Sequence, residues 1–565
     1  MSEQNENQNY ESPRKSRNVI FPWLVILISI VSLFVLYFFD TALEAAFNLD
    51  PAVKYIASFL LPLIALTSIG LWYLLRRARS FQFYTVLALL ALLAPVVFFL
   101  LYQPVFGGNA DLEGFVPRFW GKTDIVTREA ESTTSRLTKT EFDFPQFLGP
   151  DRDGVIRNVE LAAWSGVQPE LLWKQSVGTA LSGFAVVNGY AITQEQREDQ
   201  ECVVCYEIET GKTVWMHSGT RRYEDYASFG RVGPRATPLV HNGNVYALGG
   251  TGVLECLNGE DGSVIWTYDI AAECGIEHVP KTNSRGLAIT QESSSLAWGR
   301  SQSPLLVDDM IIVAGGGIAK VVDSKSEVAD TRVESPGATL IAINKETGEE
   351  VWRGGDRPIA YGSPTLATIA GVRQILIVVE DHCVAHDPKT GHELWCLSWP
   401  GNSSGPANCS QVTVLDDDHL MISKGYSTGA QIVLLQQEEG KLVPVPEARD
   451  SRVLKTKFSN PVIHDEFAYA ISDRFLECAE AMTLKKKWRR RGFGTGQLLL
   501  VGDKLLVHAD RGKLVLVEAF PDEYRELGSI ETVKGTCWNT LALSKDLVLV
   551  RSDKEAACYR LPLKE

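Results

Sequence analysis

The sequence predicts an all-β, eight-bladed β-propeller of four-stranded blades, preceded by an α-helical membrane anchor of three transmembrane helices. Three observations support this prediction. Three long apolar runs fill the first 102 residues, a repeat of about 40 residues follows from Leu171 onward, and the last repeat lacks one strand. Four short strands in each repeat of this length are typical of a β-propeller blade.

Length and composition restrict the class of protein. A chain of 565 residues is too long for one ordinary core, so two or more structural units are expected. Hydrophobic residues make up 45% of the chain and charged residues 22%, which fits a folded protein. The formal net charge of -14 argues against nucleic acid as a partner, because phosphate binding requires a basic surface.

The apolar runs cover residues 19–39, 51–75 and 81–102, and each can cross a hydrocarbon layer about 30 Å thick as a helix. Buried soluble helices are the alternative for all three runs, and a cleaved signal peptide is the alternative for the first. We expect uncleaved spans, because three runs follow one another and no clear cleavage site follows the first. Residues 1–18 are then a cytoplasmic tail, and residues 19–102 hold the three transmembrane helices.

Basic residues predict the orientation of these helices. Three precede the first run, at positions 14, 15 and 17, and three lie between the second and third runs, at positions 76, 77 and 79. Lys54 is the only basic residue near the first loop. The N-terminus should therefore face the cytoplasm, and all residues after Tyr102 should lie in the periplasm, outside a bacterial inner membrane. The polar residues 103–143 are predicted to be a periplasmic linker.

The repeat unit joins two strands through a polar turn, and the second strand ends in tryptophan. Glycine in the turn permits the positive φ that a tight hairpin requires. Four clear copies and a degraded one are CYEIETGKTVW (205–215), CLNGEDGSVIW (256–266), AINKETGEEVW (342–352), AHDPKTGHELW (385–395) and CAEAMTLKKKW (478–488). Two further short strands precede each copy. The predicted blades are 182–217, 235–270, 301–356, 361–400, 408–450, 456–493, 496–531 and 535–565.

The last predicted blade has only three strands, CWNTLALS, DLVLVRS and AACYRL. A missing fourth strand would leave an open edge, which favours aggregation. The segment LLWKQSVG, residues 171–178, has the form of a fourth strand but no blade of its own. We therefore predict that residues 171–178 close the ring against the C-terminal blade, within a propeller domain of residues 144–565.

The repeat resembles the tryptophan-docking motif of quinoprotein-type propellers, a family that includes the pyrroloquinoline quinone (PQQ) dehydrogenases and the envelope assembly propeller BamB. FPQFLGPDRDGV, residues 144–155, together with LLWKQSVG, is similar to the N-terminal lead-in of bacterial PQQ-like repeat proteins. The resemblance is specific for fold and weak for activity, since one fold hosts many functions. It implies that six tryptophans pack between neighbouring blades: Trp173, Trp215, Trp266, Trp352, Trp395 and Trp488.

Cysteine and histidine suggest metal or redox chemistry, but their spacing favours structural roles. Cys202 and Cys205 lie three apart in a predicted strand and so point to opposite faces, which suits chelation poorly. Cys205, Cys256 and Cys478 each precede their tryptophan by ten residues, where other blades have alanine, so we expect a small-residue slot. The remaining cysteines leave disulfide pairing open. His382 and His386 share one blade and are interpreted as ordinary strand residues, so no metal site is predicted there.

The lead-in segment itself contains two acidic residues. Asp151 and Asp153 are too few for a calcium loop of the EF-hand type, and Asp-Gly after proline is ordinary turn chemistry. We expect Phe144 and Phe147 to pin this segment to the surface of the propeller.

The central funnel is the default binding site, and residues just before the innermost strands should line its mouth. The candidates are Arg235, Arg300, Ser301, Tyr361, Asn408 and Lys457. The three cations among them would attract an anion or an acidic peptide, although a role as solvated rim residues is the alternative. Two insertions, 219–234 and 271–298, interrupt the repeat beside the second blade, and long loops on a rigid ring often carry recognition.

Two functions remain open from the sequence. The first is a membrane-anchored, non-catalytic propeller that binds a protein, peptide or envelope component. The alternative is a membrane-bound PQQ-dependent dehydrogenase using calcium. The resemblance implies for that alternative an Asp base and often a disulfide between adjacent cysteines, and the sequence has no adjacent cysteine pair. No catalytic residue and no cofactor are predicted. A sensor is a third option, but it would need a separate cytoplasmic partner.

Overall fold

The computed structural model describes residues 20–38, 101–106, 112–117, 137–198, 200–219, 221–223, 233–276, 278–282, 288–292, 298–316, 337–399 and 408–564, with isolated positions between 61 and 99. The chain divides into two compact units. Helix Ile20–Phe38 belongs to the N-terminal unit, and the propeller belongs to the other.

Among the residues described, no helix combines the length and the apolar character needed to cross a membrane. The second and third predicted spans lie almost wholly outside the described residues, so the three-helix anchor stays a prediction. Within the predicted linker, strands Tyr102–Phe106 and Leu112–Pro117 pair as a two-stranded sheet.

Eight four-stranded antiparallel blades confirm the predicted propeller. Blades 1 to 4 consist of Ala185–Val187, Tyr190–Arg197, Gln200–Glu207 and Thr213–Ser218; Leu239–His241, Asn244–Leu248, Val253–Asn258 and Val264–Asp269; Leu305–Val307, Met310–Gly316, Ala338–Asn344 and Glu350–Gly354; Thr365–Ile369, Val372–Val378, His382–His386 and Glu393–Ser398. In each blade the strands follow one another from the innermost to the outermost.

The second half of the ring repeats this order. Blades 5 to 8 consist of Thr413–Val414, His419–Lys424, Gly429–Glu438 and Lys441–Asp450; Val462–His464, Phe467–Ser472, Phe475–Glu480 and Lys486–Arg491; Gln497–Val501, Lys504–His508, Lys513–Glu518 and Glu526–Glu531; Ala542–Ser544, Leu547–Arg551, Glu555–Arg560 and Glu170–Ser176. The outermost strand of blade 8 therefore comes from the N-terminal end of the domain. This is the pairing predicted for closure of the ring.

Two features extend the plain repeat. The short strand Val155–Ile156 adds in parallel to the innermost strand of blade 7. Between blades 2 and 3, within the predicted insertion, lie helix Ile270–Glu273 and the hairpin of strands His278–Thr282 and Ala288–Glu292. Asp269 caps this helix by accepting a hydrogen bond from the amide of Ala272 at 3.2 Å.

The described core is divided among the junctions between blades. Seven buried clusters follow the ring, and each joins strands of adjacent blades; the largest joins blades 7, 8 and 1. Successive side chains of a strand point to opposite faces, and the inner strands are buried at consecutive positions, so both faces of a blade carry buried side chains. Each blade is therefore stabilised by its two neighbours.

Five of the six tryptophans reach the next blade through the indole nitrogen. Donors and accepting carbonyls are Trp173 to Ile208 at 2.7 Å, Trp215 to Gly259 at 2.8 Å, Trp266 to Lys345 at 3.0 Å, Trp352 to Pro388 at 3.2 Å and Trp488 to Phe520 at 2.9 Å. Trp395 differs, since its indole nitrogen donates to the side-chain oxygen of Gln374 in its own blade at 2.7 Å.

The position opposite each tryptophan holds a small residue. Cross-strand partners are Cys205 with Trp215, Cys256 with Trp266, Ala342 with Trp352, Ala385 with Trp395, Cys478 with Trp488 and Cys558 with Trp173. All six small residues are fully buried. Cys558 belongs to the same set, although its tryptophan precedes it in the chain. All ten cysteines are free thiols.

Gly391 offers a test of the contact between blades 3 and 4. Its φ is +73°, and a Cβ added there would lie 2.4 Å from Cε3 of Trp352. We expect Gly391→Ala to lower the free energy of unfolding by about 3 kcal/mol, because both the turn and the indole must move. Gly371 in the same blade is the control: its φ is +75°, but nothing lies within 4 Å of the added Cβ. Gly371→Ala should cost only about 1 kcal/mol, and equal losses in denaturant unfolding would contradict the contact.

Candidate functional site

The eight innermost strands surround the axis of the ring and form the wall of a central channel. Hydroxyl and amide side chains at or just before these strands join neighbouring blades. The amide of Thr237 donates to Oγ of Ser303 at 3.0 Å, and the amide of Ser303 donates to Oγ of Ser363 at 2.9 Å. Between blades 5 and 6, the backbone amide of Gln411 donates to Oδ1 of Asn460 at 2.8 Å. The channel wall is thus polar and tied from blade to blade.

The lead-in segment, residues 144–156, crosses this channel along the inner strands. Phe144 is buried and exchanges two backbone hydrogen bonds with Val186 of blade 1, at 2.8 and 2.7 Å. The carbonyl of Pro145 accepts from the amide of Val240 in blade 2 at 2.8 Å, and Val155–Ile156 pairs with blade 7. Phe144 therefore lies within the ring, in the cluster joining blades 7, 8 and 1, and not on its outer surface. Phe147 is only partly buried.

Arg152 fixes the middle of the lead-in segment. Its guanidinium donates to the carbonyl oxygens of Ser303 at 2.6 Å, Pro304 at 2.9 Å and Pro364 at 3.0 Å. Its own carbonyl accepts from Nε2 of Gln411 at 2.5 Å. Burial lowers the pKa of Arg152 to about 9. One residue thus links blades 3, 4 and 5.

The two acidic residues of this segment bind an arginine. Arg157 donates to Oδ2 of Asp151 at 2.9 Å and to Oδ2 of Asp153 at 2.5 Å. Oδ1 of Asp153 accepts from the amide of Val155 at 2.9 Å, which is the turn geometry expected of aspartate.

The predicted mouth residues lie on the connections that lead into blades 2 to 6. Tyr361 and Asn408 are joined by a backbone hydrogen bond at 2.9 Å, and Ser301 donates to the Tyr361 carbonyl at 3.1 Å. Arg235 donates through Nε to the carbonyl of Trp298 at 2.8 Å, and the Trp298 ring lies 5.4 Å from that of Tyr361. These contacts form a continuous rim on the side of blades 2 to 5.

Arg300 and Lys457 are the two remaining predicted mouth residues, and each is held by different contacts. Arg300 is fully buried, and its guanidinium donates to the carbonyls of Ala314 at 2.7 Å and Gly315 at 2.6 Å, within blade 3. The ammonium of Lys457 lies 4.8 Å from the ring centre of Tyr426, and this lysine is only 2% exposed. Arg300 therefore stabilises backbone, and Lys457 brings a cation to the blade 5 and 6 side of the mouth.

Sequence reasoning missed Lys424 and Cys409. Lys424 ends the second strand of blade 5, is 2% exposed, and forms no ion pair within the part of the chain that the structure describes. Burial lowers its pKa, and the neighbouring Cys409 and Glu380 oppose that shift. Burial raises the pKa of the Cys409 thiol to about 12, although the nearby cations Lys424 and Arg235 act to lower it. Blade 5 lacks the tryptophan signature, so no repeat position marked Lys424 in the sequence.

Metal ligands do not converge in the described chain. No group of three or more His, Cys, Asp and Glu side chains that would hold a metal ion occurs among the described residues. Nδ1 of His382 pairs with Oδ1 of Asp381 at 2.7 Å, and Nδ1 of buried His386 contacts the Gly391 carbonyl at 2.8 Å. These residues do not provide the acidic set that calcium, the partner ion of PQQ, requires.

These features define an eight-bladed, quinoprotein-like propeller whose channel is crossed by its own chain. A family model described as outer membrane protein assembly factor BamB matches residues 153–326 and 282–519, more than half of the sequence. The chain belongs to this BamB family of PQQ-like propellers.

Individual relatives are distant. The outer membrane protein assembly factor BamB of Moranella endobia (strain PCIT) is 28% identical over 134 residues, 21% of this chain and 34% of that protein. The match thus spans about a third of that relative's length. The crystal structure of BamB from Moraxella catarrhalis has a TM-score of 0.46 and 13% identity, covering 70% of this chain and 100% of the other. The structure of the quinohemoprotein alcohol dehydrogenase from Comamonas testosteroni has a TM-score of 0.40 and 14% identity, covering 75% of this chain and 81% of the other.

Proposed function

We propose that this chain is a membrane-anchored periplasmic propeller that binds a protein or peptide of the bacterial envelope and acts as a scaffold. The observation that carries the proposal is the positive charge beside the predicted channel mouth. Arg152 and its segment cross the channel, and the cations Arg235, Lys424 and Lys457 lie at or beside the connections that lead into blades 2, 5 and 6. A ligand would therefore enter from the rim and meet positive charge there. Membership of a family named for outer membrane protein assembly supports an envelope partner.

The anchor and the orientation belong to the same proposal. They rest on the three apolar runs and on the basic residues that flank them, which favour a cytoplasmic N-terminus at the inner membrane. Residues 103–143 would then carry the propeller in the periplasm. The six repeat tryptophans serve as structural contacts between blades in this proposal, and no cofactor is bound.

The chemistry of the rim indicates what kind of group it selects. Lys424 is buried without a carboxylate in ion-pair distance among the described residues, and only Glu380 and Cys409 oppose the lowering of its pKa, so an arriving anion would stabilise its charge further. A carboxylate from a peptide would supply that partner. An acidic peptide segment is therefore the preferred ligand.

The test is direct binding of a labelled oligoglutamate peptide to the full chain in non-ionic detergent, measured by fluorescence anisotropy. We expect Lys424→Gln combined with Lys457→Gln to weaken binding by about tenfold, because two partly desolvated cations are removed. Lys389→Gln combined with Lys554→Gln removes two exposed cations elsewhere and should leave affinity unchanged. Equal affinity of the rim variant and the natural chain would refute the site. Dye reduction on addition of PQQ and calcium would favour the dehydrogenase instead.

A further inference from the structure

The outermost strand of blade 6 carries an unusual concentration of positive charge. Five of its six residues, in the sequence KKWRRR, are basic, and Lys485 extends the run by one. This basic strip, residues 485–491, lies on a chain whose formal net charge is -14. The outermost strands of the other seven blades each carry at most two basic residues. Protection of an open strand edge needs far fewer charges than this.

The two central arginines have aromatic partners and no ion-pair partner in the described residues. The guanidinium of Arg489 lies 4.6 Å from the ring centre of Phe475, and that of Arg490 lies 5.4 Å from that of Tyr524. The hydroxyl of Tyr524 donates to Glu526 at 2.7 Å, so that carboxylate is already engaged. Both arginines are exposed. Stacking on a ring fixes a guanidinium while leaving its hydrogen-bond donors available.

The lysines of the strip are only weakly paired. Lys485 is 74% exposed and stands 3.8 Å from Glu480, and Lys487 stands 3.8 Å from the exposed Asp522. Lys486 is held more firmly, by Glu477 at 3.3 Å. Exposed pairs at such distances contribute little and are easily exchanged for another anion.

The distribution of these charges favours an extended anionic surface over a single extended peptide. Successive residues of a strand point to opposite faces, so the strip presents cations on both faces of the edge strand. Arginine donors match phosphate oxygens in a bidentate geometry. Phospholipid headgroups offer many phosphates in a plane, and clusters of this size bind anionic lipid surfaces.

We propose that the basic strip docks the rim of blade 6 on the anionic phospholipid headgroups of a membrane. Docking rests on the proposed function in one respect: the membrane anchor keeps the strip close to the bilayer, which raises the effective concentration of lipid. Docking there would hold the propeller edge-on to the bilayer. The channel mouth would then open parallel to the membrane, toward partners in the periplasm.

The test is hydrogen exchange of residues 485–491 in the full chain, kept in non-ionic detergent and mixed with phosphatidylglycerol or phosphatidylcholine. We expect phosphatidylglycerol alone to slow exchange, and high salt to reverse the effect. Arg489→Gln combined with Arg490→Gln should weaken the apparent affinity for phosphatidylglycerol micelles about 30-fold. Lys389→Gln combined with Lys554→Gln should leave it unchanged.

Other outcomes would overturn the proposal. Equal exchange with both lipids excludes lipid docking, and protection by inorganic phosphate alone identifies a free phosphate as the ligand. Stronger protection by an oligoglutamate peptide than by phosphatidylglycerol identifies an acidic protein segment. The rim variant, Lys424→Gln with Lys457→Gln, should keep full lipid protection, so failure of the rim site and failure of the strip are distinguishable.

Discussion

Replacing Arg551 with methionine is expected to lower the free energy of unfolding by about 4 kcal/mol, the largest single effect we predict. Arg551 is fully buried where blade 8 meets blade 1. Its guanidinium donates to Oγ1 of Thr193 at 2.9 Å, to the carbonyl of Gln194 at 3.2 Å and to that of Gly178 at 2.9 Å. Methionine fills much of the space but leaves these acceptors buried without a donor.

A carboxylate lies near the buried guanidinium of Arg551. Burial lowers the pKa of Arg551, and Glu195 opposes part of that shift. Glu195 itself accepts from Tyr206 at 2.6 Å, from the amide of Gly178 at 2.7 Å and from Arg197 at 3.0 Å. This network joins blade 8 to blade 1, the C-terminal and N-terminal parts of the domain, so its loss should open the ring there first.

The measurement is denaturant unfolding of the full chain, with hydrogen exchange of residues 170–176 as a local readout. Arg560→Gln is the matched control, because Arg560 lies on the neighbouring strand of blade 8 and is 43% exposed among surface acids. That change should cost less than about 1 kcal/mol. Comparable losses in the two variants would show that Arg551 does not hold the junction.

Arg152→Met should destabilise the lead-in segment by about 3 kcal/mol, because three buried carbonyls in blades 3 and 4 lose a charged donor. Faster hydrogen exchange of residues 144–156 should accompany the loss. The substitution also removes the cost of burying a guanidinium. The loss of stability should therefore be smaller than the number of lost hydrogen bonds alone suggests. Unfolding and exchange of the same sample separate local release from global unfolding.

Arg157→Gln provides the comparison within the same segment. Arg157 is 57% exposed and binds Asp151 and Asp153 at the surface, so its replacement should change stability by less than about 1 kcal/mol. If Arg152→Met leaves the exchange of residues 144–156 unchanged, the segment is held by Phe144 and strand pairing alone. The position of the segment across the channel would then not depend on Arg152.

The repeat made the fold predictable, because each copy carries the same local features. Positive φ at a turn glycine, a small residue opposite tryptophan and short runs of apolar strand residues can each be read from a few adjacent residues. The count of eight blades followed from the incomplete last repeat and the unassigned segment 171–178, since an open edge strand is unfavourable. Even Cys558 was predictable in principle, because pairing AACYRL with LLWKQSVG places it opposite Trp173.

The candidate site was predictable only in part. Tyr361, Asn408, Ser301 and Arg235 form the expected rim, but Arg300 adjoins Ser301 in sequence and turns into the wall of blade 3. In an irregular connection, the side chains of consecutive residues point in different directions, and no periodicity in the sequence predicts the direction of each. Lys424 went unnoticed because its burial arises from blades that are separate in sequence.

The sequence alone determined the number of blades, the strand that closes the ring and the contacts that repeat from blade to blade. These depend on interactions between residues near one another in the chain, or on the rule that a sheet edge needs a partner. Only the tertiary structure decided what the lead-in segment does. Phe144, Arg152 and Val155 meet strands from across the ring, which lie between 42 and 345 residues away along the chain. FPQFLGPDRDGV has the composition of a turn, and it lies across the channel because polar groups of several distant blades bind it there.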